Sequence, residues 1–339
     1  MQRKLFAEEL AADGFLARAK MILITGGLGF LGCNLAKLLC DGGAEVLLTS
    51  NRNTIVPPLV APFLGKCLRV APLDITSLDG VSRVIQEFRV TSIVHAAGRS
   101  EKGDTTLYQA MDVNVTGTIN VLEAARRAGI RRVLFISSEA VYQGMNQSTP
   151  FKEEEKLFIT SDRFVPGTKK AGEILCLMYC EQYAMEAVSL RVTRVYGPLY
   201  KGIRNLPGHM VERAANGLPI ELGDYDPAEA HDFIYARDVA RAMALLLKRP
   251  ELRGRIYNLG YGKLTSLGEF AAAISKALPE AEIHLGDGPG PLTSTKTPMD
   301  INACVDITRL REETGFAPEY DSRRAVEHYL EWAGTGNYR

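Results

Sequence analysis

The stretch Thr25-Gly26-Gly27-Leu28-Gly29-Phe30-Leu31-Gly32 carries the clearest chemical signal in the chain. It follows a short apolar run, Met21–Thr25, and opens a segment with helical spacing, Cys33–Cys40. Small residues let the backbone turn sharply and come close to a pyrophosphate, and the helix start offers unpaired N–H groups and a partial positive charge. A dinucleotide is the expected ligand; the competing reading is a tight strand-to-helix turn without one. A second apolar run, Glu45–Thr49, ends in Ser50-Asn51-Arg52-Asn53. NAD-selective folds place an acid there for the ribose 2′-OH. Ser50 stands at that place and Arg52 follows two residues on. A hydroxyl and a guanidinium suit a 2′-phosphate, so NADP is slightly preferred and NAD is held open, with Arg52 as a solvated loop charge the alternative.

The elements that must position these groups follow the same alternation. Further apolar runs at Leu68–Pro72, Ser92–Ala96, Arg132–Ser137 and Glu186–Leu190 read as strands. Leu78–Phe88, Leu107–Arg127 and Thr168–Tyr183 have helical spacing. Strands alternating with helices of this length predict right-handed βαβ units and an α/β, doubly wound parallel sheet of Rossmann type. After Tyr196 the pattern becomes irregular and Gly and Pro cluster. The expected organisation is an N-terminal extension or tag at 1–20, a dinucleotide-binding domain at 21–195 with 231–248 returning to it, and a smaller α/β substrate domain from 196–230 and 249–339.

Lysine plus arginine equals aspartate plus glutamate at 40 each, so the composition gives no argument for nucleic acid or an anionic membrane as partner. No apolar run reaches the ~20 residues of a membrane span. The six cysteines are scattered and none forms Cys-x-x-Cys, so neither a disulfide framework nor a metal site is expected. Cys176 and Cys180 share a helix face and read as core packing. A reducing cytoplasm is the expected compartment.

Taken in order, a set of short motifs resembles the extended short-chain dehydrogenase/reductases of the NAD-dependent epimerase/dehydratase type, across about residues 21–333. Gly26, Gly29 and Gly32 match that family's Gly-x-x-Gly-x-x-Gly, whose turn also presents Phe30 and Leu31. Asp74-Ile75 is similar to the pair that faces the adenine. Ala96-Ala97-Gly98, after His95, resembles the strand-four signature beside the cofactor, and Asn114 the asparagine of the following helix. Ser137-Ser138 with Val141-Tyr142 resembles the strand-five serine motif. The resemblance implies that Ser138 hydrogen-bonds the reacting oxygen, that Lys169 holds the nicotinamide ribose, and that Glu173 is the acid following it on the helix.

One part of the pattern is missing. The family places a proton-transferring Tyr four residues before its Lys, and here that residue is Val165, which can neither donate nor accept a side-chain proton. Glu139, Tyr142 and Lys169 are the candidate replacements, because burial can raise a carboxyl or lower an ammonium toward working pH. Glu139 lies where sugar dehydratases of this family carry an acid.

Two further departures fall on the substrate side. The family's Arg before Asp-Phe is His231, and the Asn before its Val-Tyr-Gly-Pro is Arg194. His231 is mostly neutral at pH 7. Arg194, Tyr196 and His231 are the candidate substrate contacts, and a hydroxylated small molecule or sugar acid is expected over a conventional UDP-sugar.

The expected function is NAD(P)-dependent oxidoreductase, epimerase or dehydratase chemistry at a secondary alcohol. The alternatives are a cofactor-binding regulator without turnover and a Tyr-to-Val inactive variant of a nucleotide-sugar epimerase. The resemblance also implies a homodimer through helices near 107–127 and 168–183, with Leu175, Met178 and Tyr179 as compatible positions.

Overall fold

The computed structural model describes residues 21–335 except 52–53, 101–104, 146, 160, 162, 201–205, 224 and 287–302. The predicted extension at 1–20 and Arg52 therefore lie outside the described residues. Six strands are separated by α-helices except between β2 and β3, where the described element is the short 3-10 turn Ala61–Phe63: β1 Ile22–Thr25, β2 Val46–Ser50, β3 Leu68–Pro72, β4 Ser92–His95, β5 Arg132–Ile136 and β6 Glu186–Val192. They pair in parallel in the order β3-β2-β1-β4-β5-β6. This is the doubly wound Rossmann arrangement that the alternation predicts, and its ligand crevice lies where strand order reverses, between the carboxyl ends of β1 and β4. β1, β5 and β6 are buried along their whole length, as parallel strands covered on both faces must be.

Helix α1 (Phe30–Asp41) covers one face of the sheet, where Leu35, Leu39, Val46, Leu134 and Leu190 meet in one core. Helices α2 (Leu78–Glu87), α3 (Leu107–Met111), α4 (Gly117–Arg127) and α5 (Phe164–Gln182) belong to the other face, whose core includes Leu23, Ile93, Val121, Val133 and Cys176. Local chemistry sets the helix starts. Ser77 caps α2 through Gly80 N–H, and Thr106 with Gln109 forms a capping box on α3. α5 begins at Phe164, four residues before the predicted start. Pro166 stands in its first turn, where its missing N–H breaks no intrahelical bond. Between α3 and α4 the chain makes one π turn, Asp112–Thr116, a distortion found often at functional sites.

The remaining strands are short. β7 (Arg194–Tyr196) pairs in parallel with β10 (Phe233–Tyr235), β8 (Ile220–Leu222) with β13 (Ile283–Leu285), and β9 (Ala230–His231) runs antiparallel to β12 (Thr265–Ser266). With α6 (Leu206–Ala215), α8 (Leu267–Ala277) and α9 (Ser322–Gly334) they enclose a third core around Tyr196, Phe233, Tyr235, Phe270 and Tyr329. α7 (Ala236–Lys248) returns to the sheet and packs on α1. β11 (Ile256–Leu259) differs from expectation. The sequence groups it with the substrate region, yet it extends the main sheet by pairing with β6. Its four residues are too few to show whether they are sheet or turn before the pairing is known. No helix among the described residues is long and apolar enough to cross a membrane.

Candidate functional site

The glycine turn sits at the crevice. Gly26 has φ +64°, and a Cβ there would lie 2.7 Å from the Ala97 Cα. A Cβ on Gly32 would collide with the Gly27 backbone, so the first turn of α1 can lie against the loop only without one. Gly29 precedes α1 in extended conformation, and no side chain caps the helix among the described residues. Its first N–H groups are thus left for an anion. Ala96 N–H bonds Thr25 O at 3.2 Å and Ala97 N–H bonds Thr25 Oγ1 at 3.3 Å, closing β4 against the turn. Phe30 packs its ring 5.0 Å from that of Tyr200, and Leu31 packs on the core. The cradle fits a dinucleotide pyrophosphate. Gly26→Ala is expected to cost about 1–3 kcal/mol of backbone strain and to weaken cofactor binding about tenfold or more; fluorescence titration of NAD(P) checks it.

The sides of the crevice are held by buried polar links. His95 is buried and bridges Thr25 Oγ1 at 2.7 Å and Thr118 Oγ1 at 3.0 Å. Burial, reinforced by Lys169, pulls its pKa down to about 3, which makes it a neutral strut. Asn114, on the π turn, donates to Arg99 O at 2.9 Å and to Thr168 Oγ1 at 3.1 Å, and accepts from Arg99 N–H at 2.6 Å. It fixes the backbone after Gly98 to α5. Asp74 is exposed and accepts from Thr76 N–H and hydroxyl, while Ile75 packs under Gly117. Ser50 closes β2 opposite Pro72.

Ser138, Glu139 and Lys169 gather at the carboxyl end of β5. Ser138 caps the short turn Glu139–Tyr142 by accepting from Ala140 N–H. Lys169 donates to Ile136 O at 2.5 Å and lies 4.8 Å from the centre of the Phe135 ring. Loss of water lowers its pKa to about 8. Glu139 has a side chain only 12% exposed, 3.7 Å from Arg194 Nε. Burial raises its pKa to about 8; Arg194 pulls the other way and Asp232 adds to the rise. Val165 lies one helical turn before Lys169 and brings only a hydrocarbon side chain.

Tyr142, a candidate proton group in the sequence, is instead part of the core. It is fully buried, its ring stacks on Phe151, and its hydroxyl donates within reach of Asn258 Oδ1 (2.7 Å) and Lys152 O (3.0 Å) while accepting from Arg191 at 2.9 Å. Burial pushes the phenol up to about 12, away from working pH. The same Arg191 grips Glu173 on α5 with contacts of 2.8–3.1 Å, and Glu173 accepts from Ser137 at 2.6 Å. Glu173 is thus a buried brace between β5, β6 and α5. Asn258 on β11 joins this network, and sequence reasoning missed its part because its partners are up to 116 residues away.

Tyr196 is likewise not a substrate contact. It is 2% exposed among Phe233, Tyr235 and Phe270, and its position beside Arg194 on a strand does not reveal which neighbours close over it. Arg194 does face Glu139. Asp232 is buried and accepts backbone N–H bonds from Tyr261 (2.7 Å), Val305 (3.1 Å) and Gly262 (3.3 Å). Burial raises its pKa to about 6 despite them. His231 faces away from that cage, with Nε2 3.0 Å from Glu229 Oε1 and its ring edge-on to Phe233.

A family model described as "NAD dependent epimerase/dehydratase family" matches residues 22–260. A UDP-glucose 4-epimerase of Mycolicibacterium smegmatis is 28% identical over 322 residues, covering 91% of this chain and 97% of that one. A UDP-glucuronate 4-epimerase of Thermodesulfobacterium geofontis is 27% identical over 249 residues, 71% and 75% of the two chains. The crystal structure of Thermus thermophilus UDP-glucose 4-epimerase in complex with NAD aligns with TM-score 0.75 at 26% identity, covering 93% of this chain and 99% of that one.

Proposed function

The chain belongs to the NAD-dependent epimerase/dehydratase family, and from that premise we propose that it acts on a secondary alcohol of a sugar, sugar acid or related small molecule, with Glu139 as its proton-transfer group. The observation that carries this reading is the burial of Glu139 beside Ser138 and Arg194, with a pKa raised to about 8. A proton carrier works best when its pKa lies near operating pH. Tyr142 has spent its hydroxyl on the core and Val165 has none to offer.

A nicotinamide bound in the crevice supplies the hydride acceptor and donor. Ser138 Oγ hydrogen-bonds the alcohol oxygen, and the Glu139 carboxylate takes its proton as the carbonyl forms. The protonated Glu139 returns that proton when the carbonyl is reduced again. Lys169 would hold the nicotinamide ribose from its place at the carboxyl end of β5, and Arg194 keeps the Glu139 carboxylate oriented. The test is turnover with deuterium-labelled alcohols, which detects hydride that is recycled as well as hydride that accumulates on the cofactor. Cofactor binding with neither label transfer to the cofactor nor inversion at the labelled carbon, across sugars and sugar acids, would instead favour the regulator reading.

Ser50, at the end of β2, and Arg52, two residues further along the sequence, favour NADP over NAD. Competitive titration is expected to show the tighter binding with NADP. For the substrate, Arg194 and His231 favour a carboxylate-bearing molecule over a UDP-sugar, and tight saturable UDP binding by calorimetry would overturn that preference.

The apolar surface supports a homodimer. Leu107, Tyr108 and Met111 on α3, Ile119 on α4, and Ile174 and Met178 on α5 are exposed. Leu175 and Tyr179, which the sequence offers as interface positions, pack inward on the sheet core instead. They sit one position round the helix from Ile174 and Met178, a distinction only the packing makes. The double change Ile174→Asp, Met178→Asp is expected to give a folded monomer by analytical ultracentrifugation.

A further inference from the structure

We propose that Glu229 is a positioning residue that holds His231 as a proton-gated receptor for a carboxylate or phosphate group of the substrate. The inference rests on the reading of this face as the substrate side and adds to it a residue that no sequence motif marks.

Glu229 has a side chain only 5% exposed. Its Oε1 lies 3.0 Å from His231 Nε2, and its Oε2 is buried with no hydrogen-bond partner among the described residues. A buried carboxylate with one satisfied oxygen is costly unless its partner is positive. The carboxylate therefore favours the imidazolium form of His231, which without it is mostly neutral at pH 7.

Alternation along β9 and β10 fixes where this charge faces. His231 and Phe233 share one face, shown by their ring contact of 5.5 Å, while the Asp232 carboxylate turns the other way into the Tyr261, Gly262 and Val305 N–H groups. Phe233 is in register with Arg194 on β7, and Arg194 reaches Glu139. Among the described residues Glu229 contacts His231 directly and Asp232 follows it on the strand, while Arg194 from β7 is in register with Phe233 and carries the link on to Glu139. β12 pairs with β9 through the uncharged Thr265 and Ser266. A substrate anion placed here meets the permanent charge of Arg194 and the conditional charge of His231. A guanidinium at 231 would bind at any pH, whereas the Glu229–His231 pair binds only while the ring is protonated.

The experiment is an NMR titration of the histidine side-chain nitrogens in full-length protein, with His231→Gln assigning the signal. Inorganic phosphate and sodium acetate are the anion probes. In Glu229→Gln the His231 titration midpoint is expected to fall by about one pH unit or more. In wild type, phosphate or acetate is expected to shift the His231 signal at pH 6 and not at pH 9, and the stronger of the two identifies the anion class. About tenfold weaker binding of that probe is expected in Glu229→Gln at pH 7. An unchanged midpoint in Glu229→Gln, with the fold intact by amide spectra, would sink the positioning role. A shifted midpoint with no response to either probe would overturn the receptor role. Neither result depends on turnover, so both are separable from failure of the Glu139 reading.

Discussion

Glu139→Gln is expected to lower turnover by about 10²–10⁴-fold, the range typical of losing a positioned acid–base group. Glutamine keeps the size of the side chain beside Arg194 and cannot take a proton. Cofactor affinity should stay within about twofold, because the glycine turn and Lys169 are untouched. The pH profile adds a signature. In alcohol oxidation Glu139 must be a carboxylate, and with a pKa near 8 it is mostly protonated below that value. The wild-type rate of oxidation should therefore rise as pH passes upward through about 8, and carbonyl reduction, which needs the protonated form, should fall over the same span. In the glutamine variant that limb disappears in both directions. Lys169 has a pKa lowered to a similar value, and the two are distinguished by Lys169→Met, which should raise the cofactor KM as well. Full activity in Glu139→Gln would sink the assignment. A gain of activity in Val165→Tyr alone would then favour an inactive variant of a tyrosine-dependent parent.

Arg191→Leu is expected to destabilise the protein by about 3–5 kcal/mol, read from the shift of the urea midpoint. The change strands Glu173, which is 3% exposed and keeps only the Ser137 hydroxyl among its hydrogen bonds in the described residues. It also removes the donor to Tyr142 at 2.9 Å. The double change Arg191→Leu, Glu173→Leu should recover much of the loss, since removing both charges leaves none unpaired. Persistence of the full loss in the double variant would show that packing, rather than the stranded carboxylate, sets the cost. Activity should suffer in both variants. Arg191 links α5, which carries Lys169, to the Glu139–Tyr142 turn through Tyr142, so the brace also spaces the two groups at the carboxyl end of β5.

The sheet was legible because its evidence is local. Short apolar runs, helical spacing between them and a glycine turn at the first junction are each written in at most 21 consecutive residues. The turn also shows its ligand class, because a backbone that can approach a phosphate must lack side chains at Gly26 and Gly32. The absence of a hydroxyl at Val165 is equally local. β11 escaped because four residues acquire their meaning only from β6 beside them.

What the sequence determined by itself is the doubly wound frame, the cofactor cradle, and the set of side chains near the end of β5. It could not rank Glu139, Tyr142 and Lys169, because their pKa values depend on water and on partners distant in the chain. Only the tertiary structure decided that Tyr142 is bound to Asn258 and Arg191 while Glu139 is buried with the Arg194 guanidinium near it. The same reason separates Arg194 from Tyr196 and joins His231 to Glu229. Residue type supplies the chemistry a side chain can perform, and burial with its long-range contacts selects which of those chemistries it keeps.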